Sequence, residues 1–232
     1  MGKDVIIACD FESKDVLKTF LDKFGDKKPF LKIGMELFYA EGPQIVKELK
    51  SKGYKIFLDL KLHDIPNTVK KAMTVLRELG VDMCNVHAGG TSKMMEAALE
   101  GLTREDGTRP ILIAVTQLTS TDQETMEKDL LINEPIDSVV MHYALRAMES
   151  GLDGVVCSPL EAGKVHGKCG NGFITVTPGV RFADGDVGDQ KRVTTPKKAK
   201  ELGSDYIVVG RPITSADDPV AAYERCVKEF VG

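Results

Sequence analysis

The chain has 232 residues of ordinary globular composition, enough to bury a large core. Its net charge of −4 supplies no global field to attract nucleic acid or an anionic membrane, though a local cationic site for a small anion is compatible with it. The five cysteines are odd in number, widely spaced and without a CxxC, and no stretch approaches the roughly 18 apolar residues of a membrane span, which argues against a disulfide scaffold, a zinc site and a transmembrane protein.

In chain order, residues 5–9 form a short apolar run, too short for a signal-peptide core, that reads as a first buried strand. Residues 14–24 place Val16, Leu17, Phe20, Leu21 and Phe24 at helical spacing. A second apolar run, 30–37, carries Lys32 between Leu31 and Ile33 and leads to a helical pattern over 43–52. The pairing repeats: strand 55–62 with helix 66–79, strand 83–88 with helix 93–102, and strand 111–118 with helix 136–150. Between these last two, the long connection 119–134 contains a segment, 121–131, expected to form an extra helix over one end. Strand 154–158, a weak helix at 160–166, strand 173–180, helix 196–202, strand 206–210 and helix 218–230 complete the series. Gly53, Gly80, Gly151 and Gly203 fit helix C-terminal positions. Cys9, Cys84 and Cys157 lie inside apolar runs and read as core, consistent with a reduced, cytoplasmic protein.

The strand runs are almost continuously hydrophobic, as parallel strands covered by helices are. Eight βα units over residues 1–232 predict a single-domain α/β protein, a (β/α)8 TIM barrel, with a doubly wound open sheet as the structural alternative. In a barrel the active site sits at the C-terminal strand ends, and the unusual polar residues collect there. They are Asp10, Lys32, Asp59, Lys61, Asp64, Asn85, His87, Gln117, Thr119, Arg181 and Arg211. Strand alternation puts Leu58, Leu60 and Leu62 toward the helices and Phe57, Asp59, Lys61 and His63 toward the barrel axis. Lys32 shares that inward parity. Buried charges have to be paired or held for chemistry. An array of Lys32, Asp59, Lys61 and Asp64 points to chemistry, whereas one such pair could be a structural ion network. A metal held by Asp59, His63 and Asp64 is disfavoured by the lysines beside it. His142 and His166 read as surface or helix residues. At the far end of the chain Gly210 and Arg211 follow a strand, a pairing suited to phosphate: glycine admits the anion to backbone N–H groups and arginine binds it bidentately. The preceding connection, 181–195, is long and polar and reads as a loop able to cover a ligand.

The segments ACDF at 8–11, LKIG at 31–34, DLKLHDIPNT at 59–68, VHAGG at 86–90, VTQLTS at 115–120, TPGVR at 177–181, GDQKRV at 188–193 and VVGRPIT at 208–214 together resemble the orotidine 5'-monophosphate decarboxylase family, in order and nearly end to end. The DxKxxD core is moderately specific, being shared with sugar-phosphate enzymes of the same superfamily; DIPNT, the GDQ segment and GRPIT are far more so. The resemblance implies decarboxylation of orotidine 5'-monophosphate to uridine 5'-monophosphate, the last step of de novo pyrimidine synthesis, with no cofactor and no metal. It makes Lys61 the proton donor, and Lys32, Asp59, Lys61 and Asp64 an alternating charge network, with Asp64 supplied across a homodimer. Asp10 and Lys32 contact the ribose, helped by Thr68 of the partner, and Thr119 lies beside the nucleotide. Gln190, Gly210 and Arg211 hold the phosphate, with Arg181 at the base of the loop. Asp59, Ile65 and Pro178 belong to the same substrate-binding set. Leu62, where many relatives carry an aromatic residue, faces a helix and bears no functional consequence. Two alternatives use the same residues: a metal-dependent decarboxylase or aldolase acting on a keto-sugar phosphate, and a noncatalytic nucleotide-binding barrel.

Overall fold

In a computed structural model, which describes residues 3–183 and 194–232, eight parallel strands close into a barrel in sequential order. The elements run β1 (Asp4–Ala8), α1 (Lys14–Asp22), β2 (Phe30–Gly34), α2 (Met35–Glu41), α3 (Gln44–Ser51), β3 (Ile56–Leu62), α4 (Pro66–Glu78) and β4 (Met83–His87). After a 3-10 turn (Ala88–Gly90) come α5 (Thr91–Leu102), β5 (Ile111–Val115), α6 (Gln123–Asp129), α7 (Ile136–Glu149) and β6 (Gly154–Val156). The chain ends with α8 (Pro159–Cys169), β7 (Ile174–Thr177), α9 (Pro196–Glu201), β8 (Tyr206–Val209), α10 (Arg211–Thr214) and α11 (Pro219–Phe230). The closed ring rules out the open-sheet alternative. Among the described residues no helix is long and apolar enough to cross a membrane.

Strand parity divides the apolar side chains into two cores. Ile6, Phe30, Phe57, Met83, Val176 and Val208 fill the barrel interior, while Val5, Ile7, Leu31, Ile33, Leu58 and Cys84 pack outward under the helices. The expected segment at 121–131 contains α6, and the weak pattern at 160–166 lies within the longer α8. A capping box at Ser158 and Glu161 starts α8, Glu161 accepting the Ser158 N–H at 2.7 Å.

One expectation is corrected and two are made more specific. The run 30–37 is not all strand: it ends at Gly34, and α2 begins at once, because Met35 to Glu41 are good helix formers that bury only Leu37. The helical spacing of 14–24 appears as α1, in which Leu17, Phe20 and Leu21 are buried and Val16 is 39% exposed. His166 lies on α8 but is largely buried, its Nε2 2.9 Å from the Gly203 carbonyl and 3.3 Å from Asp205 Oδ2.

The N-terminal rim of the barrel is stitched by one recurring device. The turns Gly80-Val81-Asp82, Gly151-Leu152-Asp153 and Gly203-Ser204-Asp205 each lead from a helix into an even-numbered strand, with the glycine at φ of +73°, +82° and +94°. In each, the aspartate carboxylate accepts a backbone N–H from the preceding strand: Ile56 at 2.7 Å, Leu112 at 2.8 Å and Thr175 at 2.8 Å. Each aspartate returns its own N–H to the carbonyl of that same residue. A cationic or imidazole partner completes each unit, namely Lys50, Arg109 and His166. The first N–H group of β3 and the second of β5 and of β7 are thereby satisfied, while the first of β5 and of β7 donate to the Asp82 and Asp153 carbonyls.

Removing one such carboxylate orphans a backbone N–H and a partly buried arginine. Asp153→Ala is expected to lower unfolding free energy by about 1–3 kcal/mol, read by urea denaturation. Unchanged stability would show that the stitch contributes nothing.

Candidate active site

The C-terminal ends of β1, β2, β3 and β4 place their inward side chains within bonding distance of one another. Lys32, inward on β2, reaches Asp10 Oδ1 at 2.9 Å and Asp59 Oδ2 at 3.3 Å. Asp59, inward on β3, accepts Lys61 Nζ at 2.8 Å and Asn85 Nδ2 at 2.7 Å on its other oxygen. Two ammonium groups and two carboxylates thus alternate as Asp10, Lys32, Asp59 and Lys61. Asp59 and Lys32 are buried, Lys61 is half-buried and Asp10 is exposed. Gly34 makes the first contact possible: a Cβ there would lie 2.8 Å from Asp10 Oδ1 and 3.1 Å from Lys32 Nζ.

Lys61 occupies an unusual backbone position. Leu58 pairs with Cys84 and Leu62 with Val86, so three residues of β3 (Asp59, Leu60 and Lys61) stand against one of β4 (Asn85). This bulge puts Lys61 at φ +50°, a conformation that costs a non-glycine residue on the order of 1–3 kcal/mol and collects at functional sites. The Lys61 N–H, deprived of a ladder partner, donates to Asn85 Oδ1 at 2.8 Å. Alternation continues through Leu62, which packs against the outer core, but β3 ends there and His63, expected toward the barrel axis, is exposed, its ring centroid 5.8 Å from that of His87 and its edge against Gly89 and Gly90.

The charges set each other's protonation. Burial by itself would lower the Lys32 pKa, but the carboxylates of Asp59 and Asp10 outweigh it and raise the value above that of a free lysine. Burial likewise pushes Asp59 up, but Lys32, Lys61 and the hydrogen bonds from Lys61 and Asn85 outweigh it and hold the carboxyl below its ordinary range. His87, inward on β4, is pushed down by burial and then by His63 and Lys61, which favours the neutral imidazole. Asp59 and Lys32 are therefore ionised together at neutral pH.

These side chains border a cavity of about 220 Å³ at the barrel mouth. Its polar side is formed by Lys32, Asp59, Lys61 and Gln117, its apolar side by Phe57, Val156, Val176 and Val208, with Thr119 and Pro178 at its edge. A larger hollow of about 630 Å³ lies on the outer flank between α1 and α3, but its four lysines, Lys14, Lys18, Lys28 and Lys52, are all exposed. The mouth is the candidate site because, among the described residues, only there do buried, mutually perturbed charges line a concave surface.

The other expected residues fall into three groups. Gly210 and Arg211 lie at the end of β8 and the start of α10, next to β1, where a Cβ on Gly210 would come 3.5 Å from that of Ala8. Arg181 donates to the Val180 carbonyl at 2.9 Å. It stands where the 181–195 connection closes on itself, since the Arg181 N–H bonds the Thr194 carbonyl and the Thr194 N–H bonds that of Gly179. Asp64, Ile65 and Thr68 are exposed at the start of α4. Among the described residues Asp64 makes no ion pair within this chain; its carboxylate accepts the Ile65 N–H at 2.6 Å. Gln190 lies outside the described residues. Asn85 is the residue whose role the sequence reading did not assign. Its inward parity on β4 was available, but its partners depend on the bulge opposite.

Comparison with known proteins places this geometry among relatives. A family model described as "Orotidine 5'-phosphate decarboxylase / HUMPS family" matches residues 3–226. The chain is 57% identical over 235 residues to an orotidine 5'-phosphate decarboxylase of Bacillus cytotoxicus, covering 100% of this chain and 99% of the relative. It is 56% identical to the protein of that name from Bacillus mycoides, with the same coverage. Among solved structures, an orotidine 5'-phosphate decarboxylase from Lactobacillus acidophilus superposes with a TM-score of 0.89 at 46% identity, covering 99% of this chain and 100% of that one. An uncharacterized conserved protein from Geobacillus kaustophilus superposes with a TM-score of 0.87 at 50% identity, covering 97% of this chain and 99% of that one.

The linked charges have a definite pH signature. Asp59 has a lowered folded pKa, so its stabilisation is present above the unfolded carboxyl value and is lost as pH falls through the folded one. Lys32 has a raised folded pKa, so its share is lost only as pH rises through that value. The stability difference between the wild type and Asp59→Asn should therefore shrink on acidification from pH 7 to about pH 3. Urea titrations at a series of pH values measure it, and a constant difference would contradict the pairing.

Proposed function

The chain belongs to the orotidine 5'-phosphate decarboxylase / HUMPS family, and from that premise we propose that it converts orotidine 5'-monophosphate to uridine 5'-monophosphate and carbon dioxide in pyrimidine biosynthesis. The observation that carries this reading is the buried Asp10–Lys32–Asp59–Lys61 chain of charges beside the cavity in a full-length relative of proteins so named. The cavity, at about 220 Å³, is smaller than the roughly 300–1,000 Å³ of pockets that enclose a drug-sized ligand. It suits the pyrimidine ring, with the ribose and phosphate extending outward along the mouth.

The reaction breaks the bond between C6 and the carboxyl carbon. Its electron pair stays on C6, in the plane of the ring, where the π system cannot delocalise it well. Lys61 is the catalytic residue: its ammonium stabilises the developing charge and then transfers a proton to C6. Asp59 holds that ammonium charged and oriented, and Lys32 keeps Asp59 ionised in turn. Asp59 also borders the position of the departing carboxylate; repulsion there is secondary to stabilisation of the carbanion. A fixed ammonium serves as both electrostatic sink and acid, so the proposed chemistry calls for no metal or organic cofactor.

Asp10 and Lys32 bind the ribose, Thr119 and Pro178 flank the nucleotide, and Arg211 with the Gly210 backbone takes the phosphate, supported by Arg181. Gln190, outside the described residues, joins the phosphate set on the resemblance alone. The active form is a homodimer in which Asp64, Ile65 and Thr68 complete the partner's site. The exposure of these three residues on α4, with Ile65 66% exposed, supports that assignment. Residues 1–232 act as one decarboxylase domain, and the burial of the Cys9, Cys84 and Cys226 thiols within the core supports a reducing, cytoplasmic setting.

Purified, chelator-treated protein should deplete the ultraviolet absorbance of orotidine 5'-monophosphate and yield uridine 5'-monophosphate. Turnover that needs added divalent metal, or that occurs only on keto-sugar phosphates, would instead establish the sugar-phosphate reading; binding without turnover would establish a noncatalytic barrel. Lys61→Ala should abolish turnover yet retain product binding, whereas Arg211→Ala should weaken substrate and product binding and also slow turnover.

The shared site has its own test. Mixing inactive Lys61→Ala and Asp64→Asn chains should restore up to about one quarter of wild-type activity, since half the dimers are mixed and each holds one intact site. No recovery after verified subunit exchange would place Asp64 outside the partner's site.

A further inference from the structure

We infer that Asn85 is a positioning residue for the reaction: its carboxamide ties the Asp59 carboxylate and the Lys61 backbone into one rigid unit that aims the Lys61 ammonium at the substrate. The inference rests on the reading of Lys61 as proton donor.

Three observations carry it. Asn85 is 1% exposed and both ends of its side chain are engaged inside the site, Nδ2 donating to Asp59 Oδ1 at 2.7 Å and Oδ1 accepting the Lys61 N–H at 2.8 Å. The amide can face only this way. Turned over, it would set oxygen against the carboxylate and NH2 against the Lys61 N–H, two repulsive contacts in place of two hydrogen bonds. Second, the Asp59 oxygen that Asn85 contacts is the one bound to Lys61 Nζ at 2.8 Å, so the carboxamide, the carboxylate and both ends of Lys61 form one closed hydrogen-bonded circuit. Third, the circuit spans the bulge, where β4 offers one residue against three and the backbone ladder has no partner for the Lys61 N–H. Without the Asn85 oxygen, little would hold Lys61 at its left-handed φ of +50°.

A side chain in this place acts on geometry rather than on affinity. Asn85 is absent from the lining of the cavity, so its loss leaves the direct substrate contacts standing while the ammonium is free to move. Displacement of a catalytic group by about 1 Å lowers the rate on the order of 100-fold.

The test uses two variants of the full chain, with wild-type turnover of orotidine 5'-monophosphate as the reference. Asn85→Ala should lower kcat on the order of 100-fold while KM and the Kd for uridine 5'-monophosphate stay within a few-fold of wild type. Asn85→Asp supplies the readout that a merely structural role would not move. Its protonated form is the isostere of asparagine, accepting from Lys61 and donating to Asp59; its ionised form sets two carboxylates side by side. The ratio of Asn85→Asp to wild-type kcat should therefore rise as pH is lowered. A ratio independent of pH, or an Asn85→Ala variant with wild-type kcat, overturns the inference while leaving the decarboxylase reading intact. If Asn85→Ala fails to fold, the pH ratio for Asn85→Asp decides. Absence of turnover by the wild type would instead remove the reading on which the inference rests.

Discussion

The site depends on a single carboxylate taken out of water. Asp59 is 7% exposed, and an isolated ionised carboxyl at such a place would be driven to its neutral form. It stays charged because Lys32, Lys61 and Asn85 all direct donors at it. The dependence is mutual. Lys32 is nearly as buried and keeps its proton because Asp59 and Asp10 face it. Removing Asp59 would leave Lys61 without its ion pair and removing Lys32 would leave Asp10 without one, and breaking such a pair costs far more than its net contribution to stability. In the proposed reaction the network serves as a preorganised electric field at the mouth rather than as reinforcement of the barrel.

The barrel supplies what this field requires. Its interior is closed by layers of apolar side chains ending at Phe57, Val176 and Val208, so one side of the cavity is dry and the charges on the other side act in a medium of low polarity. The opposite rim carries the repeated aspartate turns that satisfy a backbone N–H group near the start of alternate strands. Stability and chemistry are thus divided between the two ends of the same strands. The chemical end tolerates strain, seen in the left-handed Lys61 and the irregular pairing of β3 with β4; the other end uses glycines where left-handed backbone is required.

Much of this was legible in the sequence. Near-continuous apolar runs separated by helical patterns specified eight βα units because burial on both faces of a strand removes the polar alternation of a half-exposed one. Lys32 between Leu31 and Ile33, and Asp59 between Leu58 and Leu60, revealed inward charges because side-chain parity is a local property. The same rule could not place His63, since alternation holds only along a strand and β3 ends at Leu62, leaving His63 exposed. It also missed the abrupt change from strand to helix at Gly34, where a continuous apolar pattern conceals a change of period. The roles of Asp64, Ile65 and Thr68 were drawn from family resemblance, because contact across an interface leaves no periodic trace in one chain.

By itself the sequence determined where the strands and most of the helices lie, α2 excepted, that they alternate, and that lysines and aspartates face inward at the same ends. These properties follow from the order of polar and apolar residues over a few positions. Only the tertiary structure decided that Asp10, Lys32, Asp59, Lys61 and Asn85 form one bonded array. Those five residues come from four strands, and their meeting depends on barrel closure, on register and on one displaced backbone N–H. Periodicity along the chain specifies a direction for each side chain; the distance between two of them on different strands is specified by how the sheet closes.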